Sequence, residues 1–148
     1  EYKYEYQTLT AELVDECIEF EEYWCEVREC EKYYGLDKER CAIFAMLRNF
    51  EYLNLKGGVI RIDNKIAALT IAEQFLHDTL VIHVEKANPD IQGLYQIINQ
   101  EFLMHEAGDV KFVNREQDLG INGLRDAKMS YHPVKFIKKY RVTEKIHP

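Results

Sequence analysis

Within residues 114–131 the chain gathers polar side chains that can bind charge and move protons: Asn114, Arg115, Glu116, Asp118, Arg125, Lys128, Ser130 and Tyr131. Arg115, Arg125 and Lys128, with Lys135 beyond, suit a phosphate or a carboxylate, Arg through paired hydrogen bonds. Glu116 or Asp118 can orient an amine or take its proton, and Ser130 and Tyr131 can donate. Arg125 and Lys128 are three apart and share a helical face. Each residue also has a plainer role. Asp118 can cap a short helix, Glu116 and Arg125 can form a structural ion pair, and Tyr131 can pack at a helix end. So dense a polar run between two elements is nevertheless unusual for a connector. Glu85 and Lys86 sit where a strand ends, a place for a ligand or for a local ion pair. His77 reads as a turn residue and His83 as one face of a strand. No triad or metal spacing appears.

These residues need elements to hold them. Leu13, Cys17, Phe20, Trp24 and Val27 line one helical face, with Gly35 as a terminator. Asp37 is placed to cap a second helix carrying Ile43, Met46, Leu47, Phe50 and Leu53 inward. Gly57-Gly58 breaks that pattern. Val59–Ile62, 65–75 and 80–85 then read as an antiparallel meander, with Leu80, Ile82 and Val84 sharing one face. Asn88 as N-cap and Pro89 as first residue open a helix burying Ile91, Leu94, Tyr95, Ile98 and Phe102. Val110–Val113 is a short strand, Gly123–Tyr131 a short helix, and Val134–Val142 a last strand. Tyr2, Tyr4 and Tyr6 alternate with charged residues, so residues 1–8 are an edge strand or a linker. A meander followed by strand–helix–strand predicts an α/β fold, with a mixed sheet and helices on both faces.

The bulk numbers limit the function classes. The 148 residues suit one domain. No apolar run approaches the ~20 residues of a membrane span. The net charge of −7 argues against nonspecific nucleic-acid binding. It is uneven: residues 1–31 hold eleven acids and two bases, and residues 109–148 five acids and nine bases. A basic C-terminal quarter suits a local anionic ligand or a solvated face. Cys17, Cys25, Cys30 and Cys41 have no zinc spacing and read as reduced thiols of a cytoplasmic protein. The start shows no signal sequence and no initiating Met, so a piece of a longer polypeptide is expected.

The run Asn114-Arg115-Glu116-Gln117-Asp118-Leu119-Gly120, continuing through Gly123-Leu124-Arg125, Ala127-Lys128 and Ser130-Tyr131, strongly resembles the phosphatidylglycerol lysyltransferase C-terminal-like family. Ile82-His83-Val84-Glu85-Lys86-Ala87-Asn88 is a second match, with Tyr95-Gln96, Ile98-Asn99-Gln100-Glu101-Phe102 in the helix after it. Together the matches cover most of residues 58–142. The resemblance implies a GNAT-type acyltransferase fold, residues 1–148 being the second GNAT domain of a tandem and a preceding GNAT domain its partner. It implies transfer of an aminoacyl or acyl group to an amine or hydroxyl, with aminoacyl-tRNA as a candidate donor. For such a transfer the residues' own chemistry makes Glu116, Asp118 and Tyr131 the candidate catalytic residues. Those for substrate binding are Glu85, Lys86, Asn114, Arg115, Arg125, Lys128, Ser130 and Lys135. Coenzyme A ranks lower as donor. The turn 86–93 lacks the Gln/Arg-x-x-Gly-x-Gly/Ala pattern, and Pro89 removes an N–H there. The alternative is a noncatalytic binding or scaffolding module on the same fold.

Overall fold

The computed structural model describes residues 3–144, without the Tyr34 side chain. Glu1, Tyr2 and Lys145 therefore lie outside it. The elements are β1 (Glu5–Thr8), α1 (Val14–Val27), α2 (Tyr34–Arg48), β2 (Lys56–Ile62), β3 (Lys65–Phe75), β4 (Thr79–Ala87), α3 (Leu94–Glu106), β5 (Phe112–Asn114) and α4 (Asn122–Met129). One sheet runs β1-β2-β3-β4-β5. Its first four strands are antiparallel neighbours, and β5 joins β4 in parallel. The chain divides into two compact units, Glu1–Glu116 and Gln117–Pro148. The first holds the sheet and α1–α3, and the second holds α4.

The sheet is mixed and covered on both faces. Cys17, Phe20 and Trp24 of α1 and Ile43 and Leu47 of α2 pack on Val59, Leu69, Ile71 and Val84. On the other face Leu94 and Ile98 of α3 meet Ile60, Ala68 and Ala87, and Phe102 meets Ala72, Leu80 and Ile82. The helical stripe of α1 is thus read correctly as far as Trp24, while Val27 is exposed.

Several local expectations give way. The helical pattern has ended before the glycines at 57 and 58, which already belong to β2 rather than preceding it. A Cβ on Gly58 would run into the Tyr6 ring, and one on Gly57 would lie 3.0 Å from the Leu9 Cβ. They let β1 and the chain after it come close. Gly35 stops nothing; it lies in the first turn of α2, where Asp37 pairs with Arg40 at 2.7 Å rather than capping. Cys25 and Cys30 form a disulfide, not reduced thiols, because the 3₁₀ turn Cys30–Lys32 folds back on the end of α1. Cys17 and Cys41 are free.

Asn88 and Pro89 do not start α3. The Asn88 N–H donates to Ala67 O at 2.8 Å, so Asn88 still follows β4, and its Oδ1 accepts the Asp90 N–H in a local turn. The helix begins after Gly93, whose φ of +83° is left-handed. Nothing lies within 4 Å of a Cβ built there, so Gly93→Ala should cost backbone strain alone, about 1–2 kcal/mol. A urea melt would measure it, and a cost near zero would contradict the left-handed start.

Val134–Val142 is not a strand. Among the described residues its backbone joins no ladder, and a strand without a partner leaves its N–H and C=O groups to water. The shared face expected for Leu80, Ile82 and Val84 also fails. Ile71 pairs with Val84 but Ala72 with Ile82, so His83 is an extra residue, a β-bulge. Leu80 and Ile82 face α3, whereas Val84 faces α1 and α2.

Candidate active site

The bulge decides which side chains of β4 meet. β5 pairs with β4 only from Thr79↔Phe112 to Val81↔Asn114. From Ile82 to Ala87, β4 has no backbone ladder to β5, and the two parallel strands part at their carboxyl ends. Clefts of this kind take ligands in open α/β sheets. Side chains link the parted chains instead. Arg115 Nη2 donates to Glu85 Oε1 at 2.5 Å, and Asn99 Nδ2 of α3 donates to Glu85 Oε2 at 2.9 Å. His83 Nδ1 lies 2.8 Å from Glu116 Oε1, and its Nε2 lies 3.2 Å from Glu73 Oε1 on β3.

Glu116 is set by local backbone geometry. Asn114, the last residue of β5, accepts the Glu116 N–H on Oδ1 at 2.8 Å. This turn holds Glu116 at φ +54°, unusual for a side-chain-bearing residue. The structure thereby brings together Glu85, Asn114, Arg115 and Glu116. Sequence reasoning missed His83, Glu73 and Asn99 as their companions. Asn99 had a signal in its helix motif, whereas the partners of His83 are 10 and 33 residues away and leave no spacing to read.

Lys86 points the opposite way from Glu85. Its ammonium donates to Glu39 Oε2 of α2 at 2.6 Å and sits 3.7 Å from the centre of the Trp24 ring. The Trp24 indole donates to Ala87 O at 3.0 Å. Glu21 of α1 is fully buried nearby, and its Oε2 has no hydrogen-bond partner among the described residues. Burial pushes its carboxyl from 4.5 up to about 7, against the pull of Lys86; Glu39 adds to the rise and Arg40 opposes it. The folded value is the raised one. This contribution to stability is therefore full below about pH 4.5 and is lost as pH climbs through about 7. Glu21→Gln should remove about 2 kcal/mol of stability loss between pH 5 and pH 8. Paired urea melts at the two pH values would show it; an unchanged pH slope would argue for a charged Glu21 throughout.

The second unit has its own arrangement. Asp118 Oδ1 accepts the Gly120 N–H at 2.9 Å, and its Oδ2 lies 3.0 Å from Arg125 Nε. The Gly120 N–H, then Arg125 and Lys128, hold the Asp118 carboxyl below its ordinary value. Lys128 Nζ donates to Gln117 O at 2.6 Å, so Arg125 and Lys128 both reach back from α4 to the preceding loop. Ser130 Oγ donates to Ala127 O at 2.7 Å. Tyr131 and Lys135 are exposed. No group of three His, Cys, Asp or Glu side chains among the described residues has the geometry to hold a metal.

Residues 1–143 match the model of the family described as phosphatidylglycerol lysyltransferase, C-terminal. The chain belongs to this family. A conserved protein of unknown function from Bacteroides thetaiotaomicron VPI-5482 is 43% identical, with a TM-score of 0.87 over 90% of this chain and 46% of that one. The chain thus spans about half the length of that relative. A possible acetyltransferase from Clostridium difficile 630 is 14% identical, with a TM-score of 0.66, over 99% of this chain and 100% of that one. A ribosomal-protein-alanine N-acetyltransferase from Brucella melitensis biovar Abortus 2308 is 7% identical, with a TM-score of 0.68, over 97% and 100%. At such identities the last two show the fold alone, and that fold is the GNAT acyltransferase fold. No curated protein matches the chain. As a member of the lysyltransferase family it has, among its described residues, no helix long and apolar enough to cross a membrane.

Coenzyme A, which the acetyltransferase fold brings to mind, needs free N–H groups for its pyrophosphate in the turn after β4. Here the Asn88, Asp90, Ile91 and Leu94 N–H groups are all bonded within the chain, to Ala67 O, Asn88 Oδ1, Asn88 O and Ile91 O. Pro89 has none, and the exposed Asp90 adds negative charge. The Asn88–Ile91 part of this lysyltransferase-family turn thus offers a pyrophosphate no free N–H group among those bonds.

Proposed function

We propose that this domain transfers an aminoacyl or acyl group to an amine or hydroxyl, with Glu116 as general base. The observation that carries the reading is the Glu116 carboxylate fixed by His83 beside the Arg115–Glu85 pair, where β4 and β5 part. The acceptor's proton passes to Glu116 as its nitrogen or oxygen attacks the donor carbonyl carbon. The bond from that carbon to the donor oxygen breaks, and the leaving oxygen takes a proton from water. In the second unit Arg125, Lys128 and Lys135 are the candidates for binding a donor's phosphates, with Ser130 and Tyr131 as hydrogen-bonding groups. Asp118 is the second candidate base. Its ion pair with Arg125 suits it better to holding the loop.

Aminoacyl-tRNA ranks above coenzyme A as the donor because the turn after β4 lacks the glycine pattern and its Asn88, Asp90 and Ile91 N–H groups are already bonded. Residues 1–148 act in this reading as the second domain of a tandem, in the cytoplasm where charged tRNA is made. The same features of the turn favour a second reading, a noncatalytic module. Radiolabelled transfer assays on the intact gene product separate the two. Transfer from a charged tRNA, lost on Arg125→Ala with the fold intact, rules out the module. No transfer from any charged tRNA or acyl-CoA rules out the enzyme.

A further inference from the structure

Val134–Val142 is the largest unexplained feature of the described chain. Val134, Phe136, Ile137, Tyr140 and Val142 are 86%, 72%, 65%, 82% and 93% exposed, so five large apolar side chains within nine residues are mostly open to solvent. Contiguous exposed apolar surface rimmed by charge marks an interaction site. The order of the residues says what kind. In an extended chain, side chains alternate between two faces. Val134, Phe136, Tyr140 and Val142 then share one face with Lys138. Lys135, Lys139 and Arg141 share the other with Ile137. An apolar face and a basic face at period two are the signature of a strand whose one side is buried and whose other side meets water or acids. A helix of the same residues would group Phe136, Ile137 and Tyr140 but would set Val134 and Val142 among the basic side chains.

The strand lacks a sheet. Among the described residues, 134–144 carry no regular secondary structure, and all five strands of the sheet lie before residue 115. The chain covers 46% of a relative to which it is 43% identical, and the matching family model is described as C-terminal. More than half of that relative therefore lies outside the match. We infer that residues 134–142 form a β-strand completed by an open sheet edge of a domain preceding this one in the same polypeptide. The apolar side of the strand would lie on that domain's core, and Lys135, Lys139 and Arg141 would face outward. Strand addition of this kind supplies main-chain hydrogen bonds for affinity and alternate side-chain pockets for specificity. This inference does not depend on the transfer reading; a catalytically silent protein could still satisfy it.

Hydrogen exchange on the intact gene product, compared with residues 1–148 alone, tests it. Amides of 134–142 should exchange at least ~100-fold more slowly in the intact polypeptide. In the intact polypeptide the double substitution Phe136→Asp with Tyr140→Asp should abolish that protection while the α3 amides stay protected. This second arm holds even if the shorter chain does not fold. Four results would overturn the inference: a reading frame with no domain upstream; equal protection in both polypeptides; protection that appears only as the isolated chain dimerises by light scattering; or protection that appears only on adding phosphatidylglycerol vesicles.

Discussion

Glu116→Gln is expected to lower kcat by about 10²–10⁴-fold in the transfer reaction, with the fold unchanged. Gln keeps an oxygen for His83 and nearly the same shape, but it cannot take a proton. The loss should fall on kcat more than on KM, because the proton moves in the transition state and not on binding. In the proposed mechanism His83 would act through Glu116, which it contacts at 2.8 Å, so His83→Asn should cost less and should shift the pH–rate profile. Steady-state kinetics across pH, with circular dichroism as the control for folding, would read both. A Glu116→Gln rate within twofold of the parent would remove Glu116 as base and turn attention to Asp118.

Arg115→Met should destabilise the first unit by about 3 kcal/mol. The Glu85 side chain is 12% exposed and that of Arg115 21%. Removing the guanidinium leaves a nearly buried carboxylate that has lost its positive partner and still accepts from Asn99 Nδ2. The value lies at the low end for a broken buried pair because water still reaches part of Arg115. Combining Arg115→Met with Glu85→Gln should recover most of the loss, since the charge that needed compensation is gone. Urea melts of the two single variants and the double variant give the coupling directly. Additive effects would mean that the pair contributes nothing as a pair.

The two predictions share a cause that no window of sequence displays. The family, the GNAT fold, the meander and the helical stripe of α1 were all legible, because they rest on neighbours a few residues apart. Cys17, Phe20 and Trp24 recur at helical spacing whatever the rest of the chain does, and they are buried as that spacing requires. The run from Asn114 to Tyr131 carries its family resemblance in the same local way. The Asn114 side chain even sets the turn that presents Glu116, two residues on.

Register, by contrast, was invisible. Strict alternation in β4 puts Leu80, Ile82 and Val84 on one face. One extra residue, His83, reverses that order and sends Glu85 toward Arg115 and Lys86 toward Glu39. A bulge costs the sequence pattern nothing, so only pairing with β3 reveals it. The Glu116–His83 and Glu85–Arg115 contacts join residues 33 and 30 apart, and the Lys86–Glu39 contact spans 47. Distances of that kind depend on how strands slide and part, which is a property of the folded sheet. Residue types and short spacings therefore named the family and most of the polar groups. Which of those groups meet was decided by a bulge, a diverging pair of strands and the burial that makes their charges seek partners.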